Sequence, residues 1–253
     1  MSPPIEAGFW GLVAGSALLL GAGVAYFISI PPRLVAAVMA MGSGVLISAV
    51  AFELMDEAFA MGGFPATAAG FLTGAAIFTG VNIAITKAGG GHRKRSGHHP
   101  TERQQHSSEG SGLAIAAGAL LDGIPESVVI GASLLGGVGV SAATVAAVFL
   151  SNLPEGLSSA AGMRKAGRGA GYIFGVWGVI ALASGVAAYA GATLLVGADP
   201  LIIAAVTAVA AGAILAMLVD TMIPEAFAVT REYAGLITVA GFLAAFALSK
   251  LGG

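Results

Sequence analysis

The residues able to do chemistry fall in two short stretches. One runs Leu120-Leu121-Asp122-Gly123-Ile124-Pro125-Glu126-Ser127, the other Phe149-Leu150-Ser151-Asn152-Leu153-Pro154-Glu155-Gly156. Each sets a Pro-Glu pair in the middle of a long apolar segment. On a helix Asp122 and Glu126, at i and i+4, share a face. Ser151 and Asn152 precede Glu155 by four and three positions, so three oxygen-bearing side chains share a face there too. A proline inside a helix also removes one backbone bond and leaves a carbonyl one turn earlier without its usual donor. Both stretches therefore offer oxygens where hydrocarbon is expected. Together they are expected to form a cation site inside a membrane.

The elements that must position these residues follow from composition. The chain has 253 residues, of which 57% are hydrophobic and 9% charged, and its mean hydropathy is +0.92. An ordinary globular domain is roughly a quarter charged. So few charges cannot cover a water-facing surface, and the expected class is an all-α, polytopic integral membrane protein. With no Cys there is no disulfide framework and no thiolate metal site. The first eight residues lack Lys and Arg and carry Glu6, unlike a secretory leader, so the first apolar segment is expected to stay.

A spanning helix needs about 20 mostly apolar residues. Eight segments qualify: Phe9–Ile30, Leu34–Ala58, Pro65–Lys87, Ser111–Leu135, Val138–Gly162, Ala170–Val196, Leu201–Phe227 and Tyr233–Lys250. Pro31-Pro32, Gly62-Gly63 before Pro65, Leu135-Gly136-Gly137 and Asp199-Pro200 mark the breaks. The fourth and fifth helices are expected to kink at Pro125 and Pro154. Residues 88–110 are too charged and too rich in Gly and Ser to span, and are expected to be disordered. The whole chain, 1–253, reads as a single transmembrane domain.

Basic residues orient the segments. The odd-numbered loops hold Arg33; Lys87, Arg93, Lys94, Arg95 and Arg103; Arg164, Lys165 and Arg168; and Arg231. Only Lys250 lies on the other side. The odd loops are therefore expected in the cytoplasm and both termini outside a multi-pass cell membrane. Gly11-x-x-x-Gly15, Gly70-x-x-x-Gly74 and Gly171-x-x-x-Gly175 offer close helix crossings.

Eight acidic residues lie inside these segments: Glu53, Asp56, Glu57, Asp122, Glu126, Glu155, Asp220 and Glu225. No Lys or Arg lies deep in any of them; Lys87 and Lys250 stand at ends and can snorkel. A charge at the bilayer centre costs about 2.5–3.5 kcal/mol even on the lenient insertion scale. Either the carboxyls are protonated or a cation from outside the chain neutralises them, and both point to cation or proton traffic. Segments four and five run in opposite directions with the same motif at the same depth. That implies a two-fold pseudo-axis in the membrane plane, the inverted-repeat construction of many transporter sites. A looser echo joins Glu57-Ala58-Phe59 to Glu225-Ala226-Phe227 near opposite membrane faces. Glu53, Glu57, Asp220 and Glu225 are candidate pathway residues. Interface-level solvated carboxylates remain the alternative for Asp56, Glu57 and Glu225, and a structural hydrogen-bond partner for Asp220.

On these residues the chain resembles the ZIP (Zrt/Irt-like) metal transporters, in their bacterial zinc-permease-like branch. The resemblance covers nearly the whole chain. It implies eight transmembrane helices, both termini outside and a His-rich cytoplasmic loop between helices three and four. Here that loop holds His92, His98, His99 and His106, all four histidines of the chain. The family's metal site is built from His-Asn-x-Pro-Glu-Gly-like motifs on helices four and five. Asp122-Gly-Ile-Pro-Glu126-Ser and Ser151-Asn152-Leu-Pro-Glu155-Gly fall on those positions. The resemblance thus implies Asp122, Glu126 and Glu155 as primary ligands, with Asn152 and Ser151 secondary. Asp122 and Ser151 stand in place of the usual histidines and Gly123 in place of the usual Asn. Segment six has no acid, so one metal is expected rather than two.

The implied activity is alternating-access transport of a divalent metal into the cytoplasm, with no prosthetic group and no enzyme activity. Zinc is expected first. Iron, cobalt and cadmium are further cargoes, and the missing histidines raise manganese, since hard oxygen donors suit it. Three acids around one divalent ion leave a negative charge that a proton would cancel, so pH-dependent uptake is expected. The loop histidines would capture metal, or form a solvated linker. The expected partners are lipid and the ion, with no nucleic acid. The resemblance leaves room for a homodimer, although no stretch marks an interface.

Other classes fit less well. An intramembrane protease lacks support: there is no His-Glu-x-x-His, and segment four reads Asp-Gly, not Gly-Asp. A proton or monovalent-cation pathway and a non-transporting membrane sensor or scaffold remain as alternatives.

Overall fold

Apolar residues with few breakers dictate helices, and helices are what form. The computed structural model describes residues 2–87, 110–133 and 142–251. Among them the secondary structure is helical, with no strand. Helices α1 (Pro3–Phe27), α2 (Pro32–Ala49) and α3 (Met55–Ile85) come first. They are followed by α4 (Gly110–Ser133), α5 (Ala142–Lys165) and α6 (Ala170–Leu195). Then come α7 (Pro200–Met217), α8 (Ile223–Thr230) and α9 (Tyr233–Leu251). The four histidines lie outside the described residues.

Prolines open several helices, as their preset φ and missing N–H allow. Pro3, Pro32 and Pro200 stand in the first turns of α1, α2 and α7. Asp199 caps α7 by accepting from the Leu201 N–H (2.8 Å). The prolines at 3 and 4 start α1 earlier than hydropathy alone suggests, and Ile28, already extended, ends it.

Among the described residues, five helical stretches are long and apolar enough to cross a membrane: Pro3–Phe27, Pro32–Ile85, Ala170–Leu195, Pro200–Thr230 and Tyr233–Lys250. The chain is accordingly an α-helical protein suited to the membrane. Its outer surface agrees, with Phe27, Leu72, Val186, Leu194 and Leu236 exposed. The 54 residues of Pro32–Ile85 would measure about 80 Å if straight, far beyond a bilayer core. They are not straight. Gly63 (φ 66°, ψ 177°) interrupts the helix two residues before Pro65, in a conformation essentially closed to side-chain-bearing residues.

Two π-helical turns, Val50–Leu54 and Leu218–Met222, join α2 to α3 and α7 to α8. Each stands at the same distance from the Glu-Ala-Phe echo, since Glu57 is seven residues beyond Val50 and Glu225 seven beyond Leu218.

Packing is heaviest within two sets of helices, which α2 on α5 and α4 on α7 join. Helices α1, α4, α5 and α6 form one, through α1 on α5 and α6 and α4 on α6. The other pairs α3 with α7 and α2 with α9. Glycines set the close crossings. Gly44 and Gly241 press against the Thr238 and Met41 carbonyls between α2 and α9. Gly212 and Gly74 press against those of Phe71 and Val209 between α7 and α3. A Cβ at any of the four would run into the facing carbonyl. The two crossings have one register: Met41 and Gly44 recur 168 residues later as Val209 and Gly212, and Phe71 and Gly74 recur 167 later as Thr238 and Gly241. Of the three Gly-x-x-x-Gly pairs, Gly11/Gly15 meets α6 and Gly70/Gly74 meets α7, whereas Gly171 and Gly175 face open space.

Candidate metal site between α4 and α5

The two motif stretches lie inside α4 and α5, with Pro125 and Pro154 within their helices. The proline at 154 leaves the Leu150 carbonyl without its helical donor. That carbonyl faces Gly42 of α2, where a Cβ would stand 3.3 Å from it. A neighbour without a side chain thus keeps the freed oxygen clear.

Asp122 and Glu126 are almost fully enclosed, at 1% and 2% exposure. Ser151 and Asn152 of α5 are buried as well, and Glu155 is half-buried. The two helices meet through Ser151, whose Oγ lies 3.3 Å from Glu126 Oε1 and 2.9 Å from the Val148 carbonyl. One hydroxyl proton serves one of these acceptors at a time, so Ser151 can turn toward the carboxylate or away from it. Asn152 Nδ2 donates to the Ala14 carbonyl of α1 (3.1 Å), which anchors the amide beside the carboxylates. Gly21 against the Leu153 carbonyl and Gly156 against that of Leu18 hold α1 close on the same stretch of α5. Ser127 bonds back to the Gly123 carbonyl (2.6 Å) and so spends its proton within α4.

Gly123 faces α6. A Cβ there would stand 3.5 Å from Ser184 Oγ, an ordinary contact, and Ser184 is itself buried.

The remaining acids are spread out. Thr144 Oγ1 of α5 donates to Glu53 Oε2 in the first π turn (2.7 Å). Ser158 Oγ, near the other end of α5, donates to Glu225 Oε1 of α8 (2.8 Å). Glu57 is half-buried, and Asp56 and Asp220 are exposed. Beyond Ser158, Arg164 Nη1 donates to the Ala25 carbonyl of α1 (3.4 Å) and lies over the Tyr26 ring.

The structure thus brings together Glu126 and Ser151, with Asp122 one turn earlier on α4 and Asn152 beside Ser151. It leaves Glu53, Asp220 and Glu225 at separate places on other elements. Among the described residues no three His, Cys, Asp or Glu side chains are grouped so as to hold a metal ion. Thr144 and Ser158 were missed by the sequence reading. The available signal was their spacing from Ser151, seven residues on either side, which returns to nearly the same helix face. Chemically the centre can bind a proton or a cation through carboxylate, hydroxyl and amide oxygens. No family model matches the chain, and no curated protein matches it.

Proposed function

We propose that this protein carries a divalent transition-metal cation across the cell membrane into the cytoplasm, by alternating access through a carboxylate-lined site at the midplane. The observation that carries the reading is the burial of Asp122 and Glu126 inside an apolar helix, with Glu126 facing the Ser151 hydroxyl, in a chain with no deep Lys or Arg. Intramembrane carboxylates of this kind default to function. Ligand roles follow the resemblance to the ZIP transporters: Asp122, Glu126 and Glu155 primary, Ser151 and Asn152 secondary. Zinc is the first cargo, with manganese, iron, cobalt and cadmium behind it.

The same reading takes the chain as eight spans. Pro32–Ile85 divides at Gly63 into two, and α4 and α5 add two more to the five apolar stretches. With the basic loops inside, both termini lie outside. The matching π turns and the shared register of the α2–α9 and α7–α3 crossings support an inverted repeat. The protein has no enzymatic role in this account, and the resemblance leaves room for a homodimer.

The test is uptake of Zn²⁺, Mn²⁺, Fe²⁺, Co²⁺ and Cd²⁺ into vesicles holding the purified protein, beside Glu126→Ala and Glu155→Ala. Saturable uptake lost in both variants is the expected result. Uptake indifferent to both substitutions would refute the site. A second reading, a proton or monovalent-cation pathway, is favoured by the absence of a three-acid cluster among the described residues, because one carboxylate and one hydroxyl suffice for a proton. Acidification of vesicles by a proton gradient, without metal uptake, would select it.

A further inference from the structure

Three hydroxyls of α5 each donate to or face a carboxylate from a different element. Thr144 meets Glu53 of the first π turn, Ser151 meets Glu126 of α4, and Ser158 meets Glu225 of α8. They are spaced at seven and seven residues, so they lie along one stripe that drifts only about 20° per heptad. The rise between neighbours is about 10 Å, and the outer two are about 21 Å apart, most of the depth of a hydrocarbon core. Thr144 and Ser158 are themselves buried, at 3% each. Between Ser151 and Ser158 the same stripe carries Glu155, and between Thr144 and Ser151 it carries Val148.

Ordinary hydroxyls in apolar helices spend their proton on the carbonyl three or four residues back, as Ser43, Thr73 and Thr193 do here. Thr144 and Ser158 reach across to another helix. Both partners also join the two packing groups, since α5 belongs to one group while Glu53 and Glu225 sit on elements continuous with α2 and α7, members of the other.

We propose that Thr144 with Glu53, and Ser158 with Glu225, form two flanking cation stations on either side of the central carboxylates, aligned along one stripe of α5. A divalent cation arriving at either station takes the carboxylate oxygen to which the hydroxyl now donates, and the hydroxyl oxygen becomes a second ligand. The stations thus deliver the ion to, and receive it from, the centre. This rests on the transport reading above.

The test uses the full chain in vesicles, with Zn²⁺ and Mn²⁺ as probes, and compares uptake with equilibrium binding of the same ions to the detergent-purified protein. Thr144→Val, Ser158→Ala and their combination remove the hydroxyls and little else. The expected result is an uptake loss of at least about tenfold in the double variant, the scale of one hydrogen bond to a charged group, while tight central binding stays within about twofold. Thr144→Ser, which keeps the hydroxyl, should regain uptake relative to Thr144→Val. Unchanged uptake in the double variant would overturn the proposal, and so would loss of central binding together with uptake, because the hydroxyls would then be structural props. Failure of the unaltered chain to bind or move either ion would sink the transport reading itself, before any variant is compared.

Discussion

Replacing Glu126 by Gln should leave the metal-free protein at least as stable and make the metal-supplied protein less so. The side chain is 2% exposed in the middle of α4, and the chain offers no deep basic residue to neutralise it. A charge at such depth costs about 2.5–3.5 kcal/mol. A hydrogen bond to a charged acceptor returns about 1.5–3 kcal/mol. Ser151, 3.3 Å away and shared with the Val148 carbonyl, supplies the low end of that return. While ionised, the carboxylate therefore stands at a net cost of about 1–2 kcal/mol, which without metal it escapes only by taking up a proton, and an amide of the same shape needs neither. In chelator, Glu126→Gln should unfold no earlier than the unaltered chain, and later by up to about 1 kcal/mol. At a metal concentration of 100 Kd, binding should add about 2.7 kcal/mol to the unaltered protein and almost nothing to the variant, so the variant then unfolds first. The assay is SDS-induced unfolding in mixed micelles, followed by circular dichroism with chelator and with Zn²⁺. A variant less stable in chelator, or one that zinc stabilises as much as the parent, would refute the reasoning.

Gly74→Ala should destabilise by about 2–3 kcal/mol, because its Cβ enters the Val209 carbonyl and a packed crossing cannot give way. Gly175→Ala, with nothing within 4 Å, should instead stabilise by about 0.5–1 kcal/mol through helix propensity, and the same unfolding assay compares the two. Gly63→Ala should cost about 1–3 kcal/mol, since a side chain at φ 66°, ψ 177° is strained whatever the space around it. Uptake by Gly123→Ala should match the parent, because the added methyl meets Ser184 at an ordinary distance. A loss above about threefold would show that this wall of the site tolerates no added volume.

The helices were legible because hydropathy and breakers act locally. The sixth segment, expected at Ala170–Val196, forms as Ala170–Leu195, and the break expected at Gly62-Gly63 falls at Gly63. The π turns were not legible, since a wider turn leaves no mark in apolar residues such as Val50, Ala51 and Leu54. The central acids stood out because carboxylates are rare among so much hydrocarbon. Thr144 and Ser158 did not, because a hydroxyl in an apolar helix usually bonds its own backbone, and only the fold shows which ones reach elsewhere. Gly-x-x-x-Gly was equally ambiguous. Gly70/Gly74 and Gly171/Gly175 share one spacing, yet only the first has a neighbour.

Each π turn holds one residue more than an α-helical turn would. A surplus residue advances the phase of everything downstream by about 100°. In the two helices that carry Glu57 and Glu225, the surplus decides which side of the helix those acids occupy. Deleting one residue from Val50–Leu54 or Leu218–Met222 would let the helix close into a regular α-spiral and swing its acid a quarter-turn or more out of line. Such a deletion would change neither the hydrophobicity of the segment nor its ability to insert. Orientation of the acids would thereby be separated from their mere presence.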